Sequence, residues 1–449
     1  MSRRFAGSFR ALGSLDLLMQ VHTRRLVLAL SAFGWLGACS ATDAPAQAVG
    51  GAAPDAGGPS SSAAASSPTA GTNGATIGGS GGAPTSGNAG APVAASAGAP
   101  AAGSSGSGAA GSPSGGSGGE ATAAAAGAGG EAADADPDRC RLTSYDAQQP
   151  PRLLTLAGDL GTHDPMLLSA DGRYYLFSTG ANIGAKSSND LLTWRNEPDV
   201  LSASTRPAWI KERVPDASNL WAPDASYFGG AYHLYYAASS FGSNRSCIGH
   251  LSRPSLAAGS WKDQGPVFCS NVDSKDNFNA IDPNVLVDTD GTPWLSFGSF
   301  WSGIKLIKLD QAGARDGSSL DALAARPDAG GALEAPFLVR RCGYYYLFTS
   351  WDKCCQGADS TYNIRVGRSS TPRGPFVDHT GKSLLEGGGT LVLKGGTRYR
   401  GPGHNAVLFT AAGAYNVYHA YDADHAGDSV LRIAELVWDS DGWPISAGP

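Results

Sequence analysis

One pattern recurs five times along this chain and leaves few folds open to it. In its first copy, Asp164-Pro165 leads into the apolar run Met166-Leu167-Leu168, then a turn at Asp171-Gly172, then the aromatic-rich run Tyr174-Tyr175-Leu176-Phe177. That order reads as strand, hairpin turn, strand. Turn glycines Gly172, Gly230, Gly291, Gly343 and Gly413 anchor the copies, at spacings of roughly 50–70 residues. Each is followed by sequence such as Tyr232-His233-Leu234-Tyr235-Tyr236 or Tyr344-Tyr345-Tyr346-Leu347-Phe348. Repeats of about this length, with about four strands each, predict an all-β fold, a five-bladed β-propeller.

Eight or nine residues before each glycine stand Asp164, Ala222, Asp282, Glu334 and His404. The first strand of each propeller blade lines the central channel, so equivalent positions on successive blades converge near the axis. Three carboxyl groups and a histidine in one shallow well are costly unless they have a task. Asp-Pro alone is usually a turn or strand-start signal. Its return as Asp282-Pro283 at the same phase weakens that bland reading. Glu334 is flanked by apolar residues, and burial would raise its pKa toward what a general acid needs. A lone histidine is more often structural, but His404 shares the axial phase.

The rest of the chain bears on compartment. Arg24-Arg25 precede an apolar run from Leu26 to Ala38, 13 residues long, against the ~20 that span a bilayer. This predicts a secretory signal over 1–39, with Met1 or Met19 as its start. Leu36-Gly37-Ala38-Cys39 resembles a bacterial lipobox, which implies lipidation of Cys39 and anchoring to a cell-envelope membrane; ordinary cleavage and secretion is the alternative. From Ser40 to Asp138 there is no Lys, Arg, Phe, Tyr, Trp or Leu. Such a segment cannot bury enough apolar surface to offset its ordering entropy, so 40–139 is expected to be a disordered Ala/Gly/Ser/Pro-rich linker. The head is expected over 140–449, as a monomer. A net charge of −6 argues against nucleic acid or an anionic membrane surface as partner. Six cysteines lie in the head, and export makes disulfides plausible. Cys247 can pair with Cys269, and adjacent Cys354-Cys355 either bridge each other or stay reduced. The best helical candidate in the head is Ser318 to Ala325.

Several residues suggest a sugar site. Trp221, one residue before Ala222, is either a rim indole that stacks on a sugar face or a core residue. Asp224, on the same strand face, reads as a clamp on a neighbouring strand in preference to a catalyst. Ser239-Ser240-Phe241-Gly242-Ser243-Asn244 has the composition of a substrate-contacting loop. Asn279 precedes Asp282, and Ser299-Phe300-Trp301 end the third repeat at a rim. The segment from Ser202 to Asn219, with Arg206, Lys211, Glu212 and Arg213, is either a groove wall or a solvated loop. Two carboxyl groups in different environments are the kit for glycoside hydrolysis. No phosphate loop, HExxH or G-x-S-x-G stands against that reading.

The motifs HDP at 163–165, LWAPD at 220–224, SSFGSN at 239–244, NAIDPN at 279–284, FGSFWSGIKL at 297–306, GGALEAPF at 330–337, DKCCQG at 352–357, STYNI at 360–364, LEGGGT at 385–390 and RGPGHN at 400–405 resemble glycoside hydrolase family 43, most of all its endo-arabinanases. The resemblance covers about residues 155 to 446. It implies inverting endo-hydrolysis of 1,5-α-L-arabinofuranosidic bonds in arabinan. Asp164 would be the general base, Glu334 the general acid, and Asp282 the carboxyl that raises and orients the acid. In an inverting enzyme base and acid lie roughly 6.5–9.5 Å apart. Gly242, Asn279 and Ser299-Phe300-Trp301 would line the sugar site, with Trp221 and Phe241 beside them. His404 would contact an axial Ca2+ whose remaining shell is mostly water, unusual for an oxygen-preferring ion. Exo-acting arabinofuranosidases and xylosidases share the fold, and a non-catalytic surface lectin is the reading from another class.

Overall fold

The computed structural model describes residues 137–449. The signal, the Cys39 lipobox and the linker up to residue 136 lie outside the described residues. The described residues open with the short helix α1 (Pro137–Leu142) and the two-residue strand β1 (Ala157–Gly158), then build five meanders in sequence order. Blade 1 holds β2 (Met166–Ala170), β3 (Arg173–Ser178), β4 (Gly184–Ser188) and β5 (Thr193–Glu197). The helix α2 (Ala208–Arg213) precedes blade 2, made of β6 (Leu220–Phe228), β7 (Ala231–Ala238), β8 (Ser246–Arg253) and β9 (Lys262–Ser270). Blade 3 is β10 (Asn284–Val287), β11 (Pro293–Phe297), β12 (Ile304–Lys308) and β13 (Asp321–Ala324). Blade 4 is β14 (Leu333–Arg341), β15 (Tyr344–Trp351), β16 (Asn363–Ser369) and β17 (Thr390–Lys394). Blade 5 is β18 (Tyr399–Thr410), β19 (Gly413–Asp422), β20 (Asp428–Trp438) and β21 (Pro444–Ser446). This is the expected five-bladed propeller. One expectation fails: Ser318 to Ala325 contains β13, because Leu323 and Ala324 are buried against blade 4 as an outer strand.

The repeat works as a hairpin for a local reason. Asp171/Gly172, Gly229/Gly230 and Cys342/Gly343 all have positive φ (51°/73°, 56°/83° and 52°/83°). Two such residues in a two-residue loop match the right-handed strand twist. Both faces of each blade are apolar, so each must be covered by a neighbour. The five buried clusters divide accordingly. Phe177 and Ile183 of blade 1 pack with Leu234 and Tyr236 of blade 2, and Phe228 and Tyr235 with Leu295 and Phe297 of blade 3. Leu306 packs with Leu347 of blade 4, Phe348 with Tyr418 and Trp438 of blade 5, and Val417 and Ile433 with Leu167 and Trp194 of blade 1. Each cluster therefore sits at one blade-to-blade interface.

Among the described residues, blade 5 takes all four of its strands from the C-terminal end, so another fastening joins the last and first blades. The segment 143–162 supplies it. Trp438 N–H donates to Thr143 C=O (2.8 Å), Leu154 N–H to Ile433 C=O (2.9 Å) and Leu431 N–H to Leu160 C=O (2.8 Å), along blade 5. The same segment pairs through β1 with β5 of blade 1, Asp159 N–H donating to Trp194 C=O at 2.9 Å. Its start is bound to blade 4 by the Cys140–Cys342 disulfide, of sequence separation 202. Arg341 adds donors to Thr143 Oγ1 (2.6 Å) and Cys140 C=O (2.8 Å). Cys247 and Cys269 pair as expected within blade 2.

Candidate active site

Each blade bends at one left-handed residue where its inner strand begins or bulges: Asp164 (φ 53°), Ala222 (46°), Asp282 (57°), Ala335 (54°) and His404 (47°). Non-glycine residues there cost on the order of 1–3 kcal/mol and persist where their surroundings hold them. Four of the five, all but His404, precede a proline, and at Ala222, Ala335 and His404 the ladder to the next strand is interrupted. The structure thus corrects the expected phase of blade 4. Ala335, not Glu334, is the equivalent of Asp164, and Glu334 projects from the preceding position.

Side chains of one blade cap backbone N–H groups of the next around the ring. Thr179 Oγ1 accepts from Ala222 N–H (2.8 Å) and Asp224 from Val285 N–H (2.9 Å). Asp282 accepts from Ala335 N–H (3.0 Å) and Asn284 Oδ1 from Leu338 N–H (2.8 Å). Ser350 Oγ accepts from His404 N–H (2.8 Å) and His419 Nδ1 from Asp164 N–H (3.0 Å). Asp224 is therefore the strand clamp expected of it. Burial lifts its carboxyl to about 7, against the lowering effect of the Val285 and Asn284 donors.

Asp164 is buried and carries three polar contacts on its carboxylate. His163 Nδ1 lies 2.9 Å from Oδ2, Thr179 Oγ1 donates to Oδ2 at 2.6 Å, and His404 Nδ1 lies 3.2 Å from Oδ1. Burial alone would raise its pKa, but the imidazoles of His163, His404 and His419 outweigh burial and hold it far below the usual carboxylate range. His163 shifts the other way. Burial works against its charge, yet the Asp164 carboxylate raises its pKa above the ordinary imidazole value. Its Nε2 bonds to Tyr421 Oη at 2.9 Å. Burial pushes the His404 and His419 pKa values down, repulsion from His163 adding to it and the Asp164 carboxylate opposing it.

Glu334 is also buried, between two hydroxyl donors: Ser299 Oγ at 2.7 Å and Tyr362 Oη. These donors favour its charged form, but burial prevails, the Asp164 charge adds to it, and the pKa is raised. Asp282 is raised well above its ordinary value by burial and by the charges of Glu334 and Asp164. The well thus holds one carboxylate kept ionised and a pair of carboxyl groups that resist losing their protons.

Other expected residues fall around this group. Trp221 is half-buried with its ring 5.2 Å from that of Phe241, which is 68% exposed. Gly242 follows in the same exposed loop at φ 75° with open space about it. Ser299 is at the acid, and Phe300 and Trp301 form a left-handed pair (φ 51° and 42°) with Trp301 40% exposed. Asn279 is buried, its Oδ1 engaged by Ser246 Oγ at 2.6 Å. The 202–219 segment includes α2 and is fixed by Arg206, which donates to the Ala217 and Ser218 carbonyls at 3.0 Å. The residue list from sequence lacked His163, Thr179, Tyr362, His419 and Tyr421. His163 and Tyr362 stood inside motifs already noted, whereas Thr179, His419 and Tyr421 reach the well only through the packing of β3 and β19.

Metal-binding capacity is narrow. Among the described residues, His163, Asp164 and His419 offer donor atoms within 4.8 Å of one another. His163 is engaged at both ring nitrogens, and His419 Nδ1 accepts the Asp164 N–H. His404, neutral beside an ionised carboxylate, fits a single protein contact to a cation. Water would have to supply the oxygen shell that calcium prefers.

Residues 158–444 match the family described as Glycosyl hydrolases family 43. An extracellular endo-alpha-(1->5)-L-arabinanase of Bacillus subtilis (strain 168) is 46% identical over 287 residues, covering 63% of this chain and 86% of that protein. An extracellular exo-alpha-(1->5)-L-arabinofuranosidase of Cellvibrio japonicus (strain Ueda107) is 40% identical over 304 residues, covering 64% and 87%. The solved structure of an endo-arabinanase from Bacillus licheniformis is 46% identical with a TM-score of 0.62, covering 65% of this chain and 99% of that one.

Proposed function

The chain belongs to glycosyl hydrolases family 43, and from that premise we propose that its well cuts internal 1,5-α-L-arabinofuranosidic bonds of linear arabinan with inversion. The observation that carries this is the meeting in one buried well of two carboxyl groups with opposite surroundings: Asp164 beside the imidazoles of His163 and His404, which favour its charge, and Glu334 in a site where burial favours its proton. Hydrolysis by inversion needs both at once. Water attacks the anomeric carbon and passes a proton to Asp164. Glu334 gives its proton to the departing glycosidic oxygen as that bond breaks. Asp282 holds the peptide next to Glu334 through Ala335 N–H. Burial, with the Asp164 charge adding to it, delays the acid's ionisation.

His163 and Thr179 fix the base: an imidazole Nδ1 on one side of Oδ2 and a hydroxyl on the other leave the carboxylate one orientation. His404 is proposed to hold a hydrated calcium, which would add positive charge beside Asp164. A chelator that changes neither thermal stability nor activity would count against that. Relatives named extracellular support export, and mass spectrometry of the mature N-terminus would separate lipidation at Cys39 from plain secretion.

The test is a reducing-sugar assay on debranched arabinan with wild type, Asp164→Ala and Glu334→Ala. Wild type should release short oligosaccharides, and each variant should lose at least about 100-fold in kcat. Full activity in both variants would refute the assigned roles. The exo-acting relative supports the competing mode; release of monomeric arabinose alone from end-labelled oligomers would establish it.

A further inference from the structure

The loop between β15 and β16 carries a disulfide between the adjacent residues Cys354 and Cys355. It leaves blade 4 and reaches the base side of the well. Cys355 N–H donates to Tyr421 Oη of blade 5 at 2.8 Å. The same phenol oxygen is bonded to His163 Nε2 of blade 1 at 2.9 Å, and Cys355 Sγ lies 3.7 Å from that nitrogen. His163 Nδ1 is on Asp164 Oδ2. One unbroken line of contacts therefore runs from the disulfide to the carboxylate. Tyr421 Oη is the junction of this line: it accepts from Cys355 N–H, shares a hydrogen bond with His163 Nε2, and lies 4.0 Å from Cys355 Sγ.

We propose that the Cys354–Cys355 pair is a positioning element for the reaction, fixing His163 and through it the orientation of Asp164. Cys355 sits in the left-handed region, φ 64°, which a free non-glycine residue seldom occupies. Ring closure through two adjacent residues removes the alternatives, so the Cys355 N–H stays aimed at Tyr421. The line ties blades 4, 5 and 1 together on the side of the well that activates water. This inference rests on the assignment of Asp164 as base.

The experiment compares Cys354→Ala/Cys355→Ala, Tyr421→Phe and their combination on linear arabinan oligomers, with Asp164→Ala as control. Small displacements of a reacting group cost one to two orders of magnitude in rate. Each of the first two variants should therefore lose about tenfold in kcat with KM within about twofold. The combination should lose no more than either, because both break the same line. A lowered melting temperature with unchanged kcat, or losses that multiply, would overturn the proposal. If the cysteine variant does not fold, Tyr421→Phe decides alone, and full kcat there overturns it. A fully active Asp164→Ala would instead remove the base assignment, and this inference with it.

Discussion

Tyr362 offers a direct measurement of what sets the acid. Its hydroxyl donates to Glu334 Oε1, and Ser299 Oγ donates to Oε2 at 2.7 Å. Both favour the carboxylate, against the burial that raises the pKa. Tyr362→Phe keeps the ring, which fills the space over Gly403, and deletes one donor. A hydrogen bond to a charged group is worth about 1.5–3 kcal/mol, and the protonated acid keeps part of that value with a phenol. A loss specific to the carboxylate of about 1.4 kcal/mol corresponds to one pH unit. The sign follows: with the ionised form destabilised, the proton leaves later. The alkaline limb of kcat/KM on arabinan oligomers should move up by about one unit, as a property of the coupled Glu334–Asp282 pair. An alkaline limb that stays put or moves down would show that another group, such as His163, controls it, and would refute the reasoning.

Thr179→Val removes a donor to Asp164 and strands the Ala222 N–H, so kcat should fall about tenfold with a stability loss of about 1–3 kcal/mol, read by kinetics and thermal melts. Cys140→Ser/Cys342→Ser opens a loop of separation 202 and should cost on the order of 5 kcal/mol by loop entropy, measured by denaturant titration. His250, buried against His233, is lowered to about 3 by burial and by its neighbour. Because its folded pKa is depressed, the unfolded chain takes up the proton first as pH falls. Stability is then full above about 6.5 and declines between there and about 3. Melting temperature against pH should fall less steeply in His250→Gln than in wild type over that window.

Much of the fold was legible because each repeat carries its own instructions. Asp171-Gly172 and Gly229-Gly230 specify tight hairpins, and the short apolar runs around them suit strands covered on both faces. The identity of the acid was legible for a weaker reason, since counting back from Gly343 gave the right residue at the wrong phase. Proline was the better guide: Asp164-Pro165, Ala222-Pro223, Asp282-Pro283 and Ala335-Pro336 share one backbone bend. His419 was hidden because its partner Asp164 comes from another blade, and pairing across blades leaves no local trace; Tyr362 meets Glu334 within blade 4, but from a loop 28 residues further on. The same holds for Cys140 with Cys342, where six cysteines permit many connectivities. The strand Asp321–Ala324 was missed because four residues carry too little period to tell helix from strand.

The clasp at Cys342 has a directional consequence. Cys342 lies just past the end of β14, at whose start Glu334 stands. Eight residues of extended chain at roughly 3.3 Å each put up to ~26 Å between them. Cys140 is thus held at the end of β14 remote from Glu334. Coupling the protein to a bead or electrode through residues upstream of Cys140 should leave a long, stiff polymer free to lie across the mouth, whereas coupling through the 352–360 loop would put the support where the polymer has to go.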